Sequence, residues 1–328
     1  MMLKLTGNQL PRAGECVARA LQRGLTMVEL LVAMALMGVV TVAAVSLYSV
    51  SSQSYKTVDA NQQLQETARF IFTQVGQAAR LAGYEDLIGS VGATGDRSAT
   101  SYMRSVFLPE GTVPAVIGYD NSIIINTLDT SDDGGNNRGG VNFSDSVAFR
   151  FFGSGLASNG SAPDNSVVDC LGSAVAYPIG TTVADVGLSL FWVKMVSGEP
   201  ELQCLRQGIG TRESQPIARG VESFQVLYGV DTKATNPDLV PNRWASASDL
   251  VATDWQRVRA VRVGLVLRGP PGSSQGASAT ASDNTLYPLG QTFIGSATTN
   301  GLTFAAPNDG RLRRAFTAVF VLRNSRGQ

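Results

Sequence analysis

The sequence predicts an α+β protein: one long N-terminal helix followed by an antiparallel, β-rich globular head. Three observations carry that expectation. From Leu30 through Tyr55 no residue bears a formal charge. That run passes without a turn signal into a stretch where Leu64, Ala68, Ile71, Phe72, Val75 and Ala79 recur at helical spacing, with Gln63, Glu66, Arg69, Gln74 and Arg80 between them. After Tyr84 the texture changes to short alternating or β-branched runs separated by Gly-, Ser-, Asn- and Asp-rich stretches.

The helix is expected to be continuous from about Leu25 to Leu81 and to end at Gly83, because no proline lies between Pro11 and Pro109. At 1.5 Å per residue it is about 85 Å long. Its first half, residues 25–55, is apolar all round, and the charge-free run of about 39 Å is long enough to cross a bilayer core. Its second half, residues 56–84, is amphipathic and must lay one face on something. Leu64, Ile71, Phe72 and Val75 are expected to close one side of the head's core. Gly38 is the weak point of the apolar half, costing about 1 kcal/mol in helix propensity. It reads either as a close-packing site against another helix or as a place where the helix melts on assembly.

The head, residues 85–328, is read as a series of strands. Ser122–Asn126 is a short β-branched run, and residues 145–153 form a strand followed by a loop over Ser154–Asn165. Leu188–Val196 and Glu201–Leu205 pair as a hairpin around Ser197–Pro200. Residues 223–231 are another strand, and residues 254–257 a helical turn that buries Trp255. Val261, Val263, Leu265 and Leu267 alternate with Arg262, Gly264, Val266 and Arg268, the pattern of a half-buried strand. Pro270 to about Asn300 is rich in small residues and reads as loop. Residues 313–324 read as a strand apolar on both faces, hence internal.

Composition narrows function. The 328 residues hold 26 basic and 26 acidic side chains. Residues 1–24 carry Lys4, Arg12, Arg19 and Arg23 against Glu15, a net of +3, and the remainder holds 22 basic and 25 acidic residues, a net of −3. A near-neutral body has no global drive toward nucleic acid. The basic N-terminal stretch is expected to stay cytoplasmic while the C-terminal body is exported. Cys16 lies in that stretch, which leaves Cys170 and Cys204 as an even pair in an oxidising compartment. They are expected to form a disulfide worth roughly 3–4 kcal/mol in the chain-entropy model. A zinc pair is the rival, and a chain without histidine makes it a poor one. The lack of histidine also removes Ser-His-Asp and Cys-His nucleophiles. No Ser-x-x-Lys spacing and no Gly-rich phosphate loop occurs. No catalytic site, cofactor, metal or small-molecule substrate is expected. The acidic stretch from Asp129 matches half of a calcium loop at Asp129, Ser131, Asp133 and Gly134. Its twelfth position is Gly140 where a bidentate Glu is needed, so it reads as a solvated turn.

The most specific feature is Arg23, Gly24, Leu25, Thr26, Met27, Val28 and Glu29, with the apolar run directly behind. A carboxylate at the edge of a membrane-length segment is costly and usually functional. A secretory signal has its apolar core before the cut, and here that core follows it. These residues resemble the type IV prepilin signal. The resemblance implies cleavage after Gly24 by prepilin peptidase, N-methylation of Leu25, and Glu29 as the fifth mature residue. Four later stretches, Ala68–Tyr84, Ser144–Phe151, Gly220–Asp231, and Val258–Arg268 with Arg313–Asn324, resemble in order the PilW family of type IV pilus minor pilins. That likeness implies a pilin-type lollipop, held in the inner membrane with its head in the periplasm and later carried to a pilus at the cell surface.

It further implies a subunit that helps initiate pilus assembly, in contact with other minor pilins and the major pilin through the N-terminal helix. Glu29 would then dock on the N-terminal ammonium of a neighbouring subunit, since either charge alone is costly to bury in an apolar bundle. Two alternatives stand beside it: a pseudopilin of type II secretion, and a tip adhesin that binds through the loops at 85–140 and 270–300.

Overall fold

The computed structural model describes residues 26–84, 114–129, 132–156, 159–177, 186–208, 211–233, 238–274, 284–293, 301–324. By its contacts the chain divides into two units, residues 1–52 and 53–328. Helix α1, Met27–Leu81, contributes to both.

In the first unit α1 starts two residues later than the periodicity alone predicts, and the reason is local. The Thr26 hydroxyl accepts a hydrogen bond from the Glu29 amide at 3.3 Å, and the Thr26 carbonyl accepts from the Leu30 amide at 3.2 Å. Thr26 is therefore an N-cap, with an acidic side chain in the first turn where the helix dipole favours it. Residues 26–51 are all exposed. Two hydroxyls in this apolar stretch are satisfied within the helix: Thr41 donates to the Met37 carbonyl and Ser46 to that of Ala43, both at 2.8 Å. That internal bonding lets Ser and Thr sit in an apolar environment. The helix runs unbroken through Gly38, where a Cβ would meet no atom within 4 Å.

The second unit begins with the amphipathic part of α1, which buries Ala60, Leu64, Ala68, Ile71, Val75, Ala78 and Ala79. Gly83, at φ +70°, stops the helix, and its amide donates to the Arg150 carbonyl at 2.8 Å. Two antiparallel sheets follow. The first contains β1 (Val116–Tyr119), β2 (Ser146–Phe151), β5 (Gly187–Val196), β6 (Glu199–Gly208) and β7 (Thr211–Arg219), in the order β1-β2-β5-β6-β7. The second contains β8 (Val221–Val230), β9 (Arg243–Ala245), β10 (Val258–Arg268) and β13 (Arg313–Val321), in the order β13-β10-β8-β9. Short pairs β3 (Gly155–Leu156) with β4 (Asn159–Pro163) and β11 (Thr285–Leu286) with β12 (Phe304–Ala305) complete the strands, and α2 (Ala252–Trp255) is a single turn. The chain passes between the two large sheets at Gly220. Its φ is +75°, its amide donates to the Pro200 carbonyl, and its carbonyl accepts from the Arg268 amide, both at 2.8 Å. A side chain there would place its Cβ 2.8 Å from the Arg268 carbonyl oxygen, so only glycine fits the crossing.

One core joins Leu64, Ile71 and Val75 of α1 to Phe149, Phe191, Leu202, Phe224, Val261, Val263 and Leu265 from both sheets. The α+β class, the single long helix and its core-facing residues thus agree with the sequence reading. Phe72 is only partly buried, lying against Phe320 with ring centroids 6.2 Å apart. The hairpin at Ser197–Gly198 is a two-residue turn with φ of +49° and +80°, the handedness that matches strand twist.

Several expectations are corrected. Residues 122–126 are not a strand; they cross the sheet edge, where Ile124 covers Leu188, Leu190 and Trp192. The loop expected at 154–165 contains the β3–β4 pair. The Pro270–Asn300 loop contains β11 and a short 3₁₀ turn at Gln291–Phe293, and its residues 275–283 and 294–300 lie outside the described residues. β10 is buried on both faces rather than one, because Pro288 and Leu289 lie directly over Gly264. β13 is an edge strand, not an internal one, and Val319 and Val321 stay exposed. Trp255 is half-buried, edge-on to Tyr228 at 4.7 Å. β1, β7 and β9 had no clear sequence signal.

Candidate functional site

The residues with functional weight in the sequence fall in separate places. Gly24 and Leu25 lie outside the described residues. Glu29 stands in the first turn of α1, one turn inside the Thr26 cap and exposed, as are Met27, Leu30, Leu31 and Val32 around it. Behind it α1 presents side chains such as Met37 and Val39 at 72 % and 69 % exposure, with a mean hydropathy of 2.5 over its most apolar window. This is the one described helix long and apolar enough to cross a membrane. The arrangement offers a single carboxylate on an otherwise apolar rod. Chemically it can accept one cationic partner and little else.

Thr26 is a residue that sequence reasoning passed over. The Thr-x-x-Glu spacing from Thr26 to Glu29 is that of a capping box and could have been read directly.

In the second unit Cys170 and Cys204 are joined, with Cα atoms 6.4 Å apart and a separation of 34 positions in sequence. Both belong to the main core. The joint ties the bend after β4 to the middle of β6. That bend is already shaped by Asp169, whose carboxylate accepts from the Leu171 and Ser173 amides at 2.9 and 3.0 Å. Burial pushes the Asp169 carboxyl up, and its two amide donors pull it back.

The acidic stretch after Asp129 is solvated only in part: residues 136–139 are exposed, while the carboxylates of Asp132 and Asp133 are turned inward. Asp132 is 9 % exposed and accepts from the Ile125 and Asn126 amides at 2.9 and 2.7 Å. Asp133 pairs with Arg150, and with Arg212 at 3.1 Å. Asp132 also pairs with Arg138. These carboxylates are spent on arginines and backbone amides that fix the loop against β2 and β7. Nearby, Asp145 is fully buried and accepts from the Val226 and Asn121 amides at 2.8 and 3.0 Å. Burial, reinforced by the Asp120 carboxylate, raises its carboxyl well above the usual range. Asp120 accepts from the Ala247 and Ser248 amides at 3.1 and 2.7 Å. Each of these acids is turned onto backbone amides or an arginine, not onto open space.

A cleft of about 480 Å³ lies between α1 and β13, lined by Gln65, Ala68, Arg69, Phe72, Thr73, Arg80 and Phe316. It holds two cations and no carboxylate, thiol or imidazole. Among the described residues no group of three or more His, Cys, Asp or Glu side chains stands close enough to hold a metal ion.

Residues 190–324 match the family described as type IV pilus-assembly protein W. Residues 19–45 match the prokaryotic N-terminal methylation motif. No curated protein matches the chain in sequence. Among solved structures, a type IV-like pilin from Thermus thermophilus is similar over 80 % of this chain and 96 % of that chain, at 13 % identity and a TM-score of 0.38. The two family matches bear out the PilW-like, prepilin-type character read from the sequence, and with it a pilin role.

Proposed function

We propose that this chain is a minor pilin that helps initiate and assemble type IV pili, as a subunit of the filament or its tip complex. The observation that carries the reading is the exposed apolar part of α1 with Glu29 in its first turn, inside a stretch that matches the N-terminal methylation motif. In this reading residues 1–24 are a leader, cut after Gly24 by prepilin peptidase, and Leu25 becomes the methylated terminus. Residues 25–55 anchor the chain in the inner membrane and later pack in the filament. Residues 56–84 carry the head, residues 85–328, which sits in the periplasm before assembly and on the cell surface after it. The N-terminal helix contacts other minor pilins and the major pilin.

The physical logic runs through Glu29. When the apolar helices leave lipid for a helical bundle, a carboxylate and an N-terminal ammonium buried together offset each other's desolvation, while either alone is strongly unfavourable. The pair therefore favours one stagger between subunits. The chain itself performs no chemistry here; its Gly24–Leu25 bond is the substrate of another enzyme.

A pseudopilin of type II secretion would use the same helix, and the family match over 190–324 favours the pilus. Deleting the gene in the native host and restoring it with wild type or Glu29→Ala tests both. The pilus reading expects sheared surface filaments to vanish on deletion, to return with wild type and to stay absent with Glu29→Ala, while exoprotein secretion is unchanged throughout. Loss of secretion with piliation intact would replace it by the pseudopilin.

A further inference from the structure

On the face of the second sheet away from α1, one guanidinium has no hydrogen-bond or ion-pair partner among the described residues. Arg262 of β10 stands in the corner between two aromatic rings. Its guanidinium carbon is 4.5 Å from the centroid of Phe293 and 6.0 Å from that of Trp244, and the rings meet nearly edge-on. Its cross-strand neighbours are Leu227 on β8 and Val319 on β13. The side chain is half-buried, and its Nε is shut from water without a hydrogen-bond partner. Burial pushes its pKa down, and no charged group among the described residues offsets that.

Five other arginines embedded in the head differ. Arg150 and Arg212 share Asp133, Arg206 meets Glu213, Arg268 meets Glu199, and Arg313 meets Glu222 at 2.5 Å. The two rings lie against the Arg262 guanidinium, and its two terminal nitrogens have no acceptor among the described residues. Those donors form a fork shaped for a carboxylate. Around the fork the sheet surface is apolar and accessible: Val319 is 47 % and Val321 62 % exposed, both on the edge strand. An arginine set among aromatic and aliphatic side chains is the composition of an interface centre, not of a solvated surface.

We infer that this face is a docking surface for a neighbouring pilus subunit, with a carboxylate of that subunit seated on Arg262 and its apolar side chains covering Trp244, Phe293, Val319 and Val321. The inference rests on the assembly reading and names a head-to-head contact within it. The charge complementarity is specific: an apolar patch without the carboxylate leaves the fork unanswered, and a lone carboxylate without apolar neighbours leaves the valines in water.

The test is site-specific photocrosslinking of the full-length protein in its native host, with p-benzoylphenylalanine at Val321 and, separately, at Val39 in the apolar part of α1. The Val39 probe reads assembly through the helix alone. Both probes are expected to capture a protein with a prepilin-type N-terminus. Arg262→Gln is expected to lower the Val321 adduct at least tenfold and to leave the Val39 adduct unchanged, which also shows that the variant folds and assembles. Reversing the partner acid nearest the adduct to lysine should abolish it, and Arg262→Glu should restore it. A Val321 adduct that is absent, that joins no pilin, or that ignores Arg262→Gln while Val39 still crosslinks overturns the docking surface and spares the assembly reading. Loss of the pilin adduct from both probes overturns the two together.

Discussion

Helix α1 is one element with two kinds of surface. Up to Ser52 its leucines, valines and methionines are bare, and from Ala60 onward Leu64, Ile71 and Val75 are sealed in a core. The second stretch is finished by the chain's own sheets. The first is bare among the described residues, and so apolar a surface calls for lipid or other helices. The difference teaches what each stretch of α1 answers to: residues from Ala60 onward to the folding of the head, and residues before Ser52 to their apolar surroundings. Mutations in the two stretches should therefore separate cleanly.

The largest separation is expected at Glu29. In the proposed assembly, removing it would leave a neighbour's terminal ammonium without a partner in an apolar bundle, a loss of about 3–5 kcal/mol for a buried pair broken on one side. Glu29→Ala should empty the sheared pilus fraction of this subunit while thermal unfolding of the head is unchanged. A matching loss of head stability would break the comparison. Next comes the disulfide. Replacing both Cys170 and Cys204 by serine should lower head stability by roughly 3–4 kcal/mol in denaturant unfolding, with insertion of α1 in membranes unaffected. Within α1 itself, Ile71→Ala should cost the head about 2–5 kcal/mol, and Leu36→Ala less than about 0.5 kcal/mol. Gly220→Ala should cost about 1–3 kcal/mol, through both its positive φ and the close Arg268 carbonyl.

The smallest expected effects are in pH, and they have opposite signs. The Arg313 hydrogen bonds hold the Asp309 carboxyl far below the usual carboxylate range. A lowered folded-state value contributes stability that is present above the unfolded value of about 3.9 and lost as pH falls through the folded one. Asp145 is the reverse. Burial and the Asp120 carboxylate raise its folded-state value, so the head loses stability as pH rises from about 4 through that value. Unfolding followed against pH should show this falling limb in the wild type, and Asp145→Asn should flatten it. Asp309→Asn should weaken the head at neutral pH and change it little in strong acid.

The sequence made some of this legible and hid the rest for physical reasons. The helix was readable to within two residues, since a charge-free run feeding a 3.6-period stripe without proline has one simple solution. Strands with an apolar stripe, residues 223–231 and 261–268, were equally clear. β13 was misjudged because Phe316 and Phe320 face the core while Val319 and Val321 of the opposite face remain bare. Alternation tells which residues share a face, not whether anything covers it. β7 was hidden because Thr211–Arg219 is a polar edge strand with a proline inside it, a sequence that looks like a turn. The acidic stretch after Asp129 misled in the other direction. Its partners Arg150 and Arg212 lie 17 and 79 positions from Asp133, and only the fold brings them there. Arg262 could not be singled out for the same reason, since its aromatic neighbours come from two other segments.

The most direct test of the account is the N-terminus and intact mass of the protein taken from its host's envelope, with and without reductant. The account predicts a chain beginning at N-methylated Leu25 that gains two hydrogens on reduction. A chain still beginning at Met1, or one cut behind the apolar run, would contradict it and leave an anchored or secreted β-rich domain with no place in a pilus.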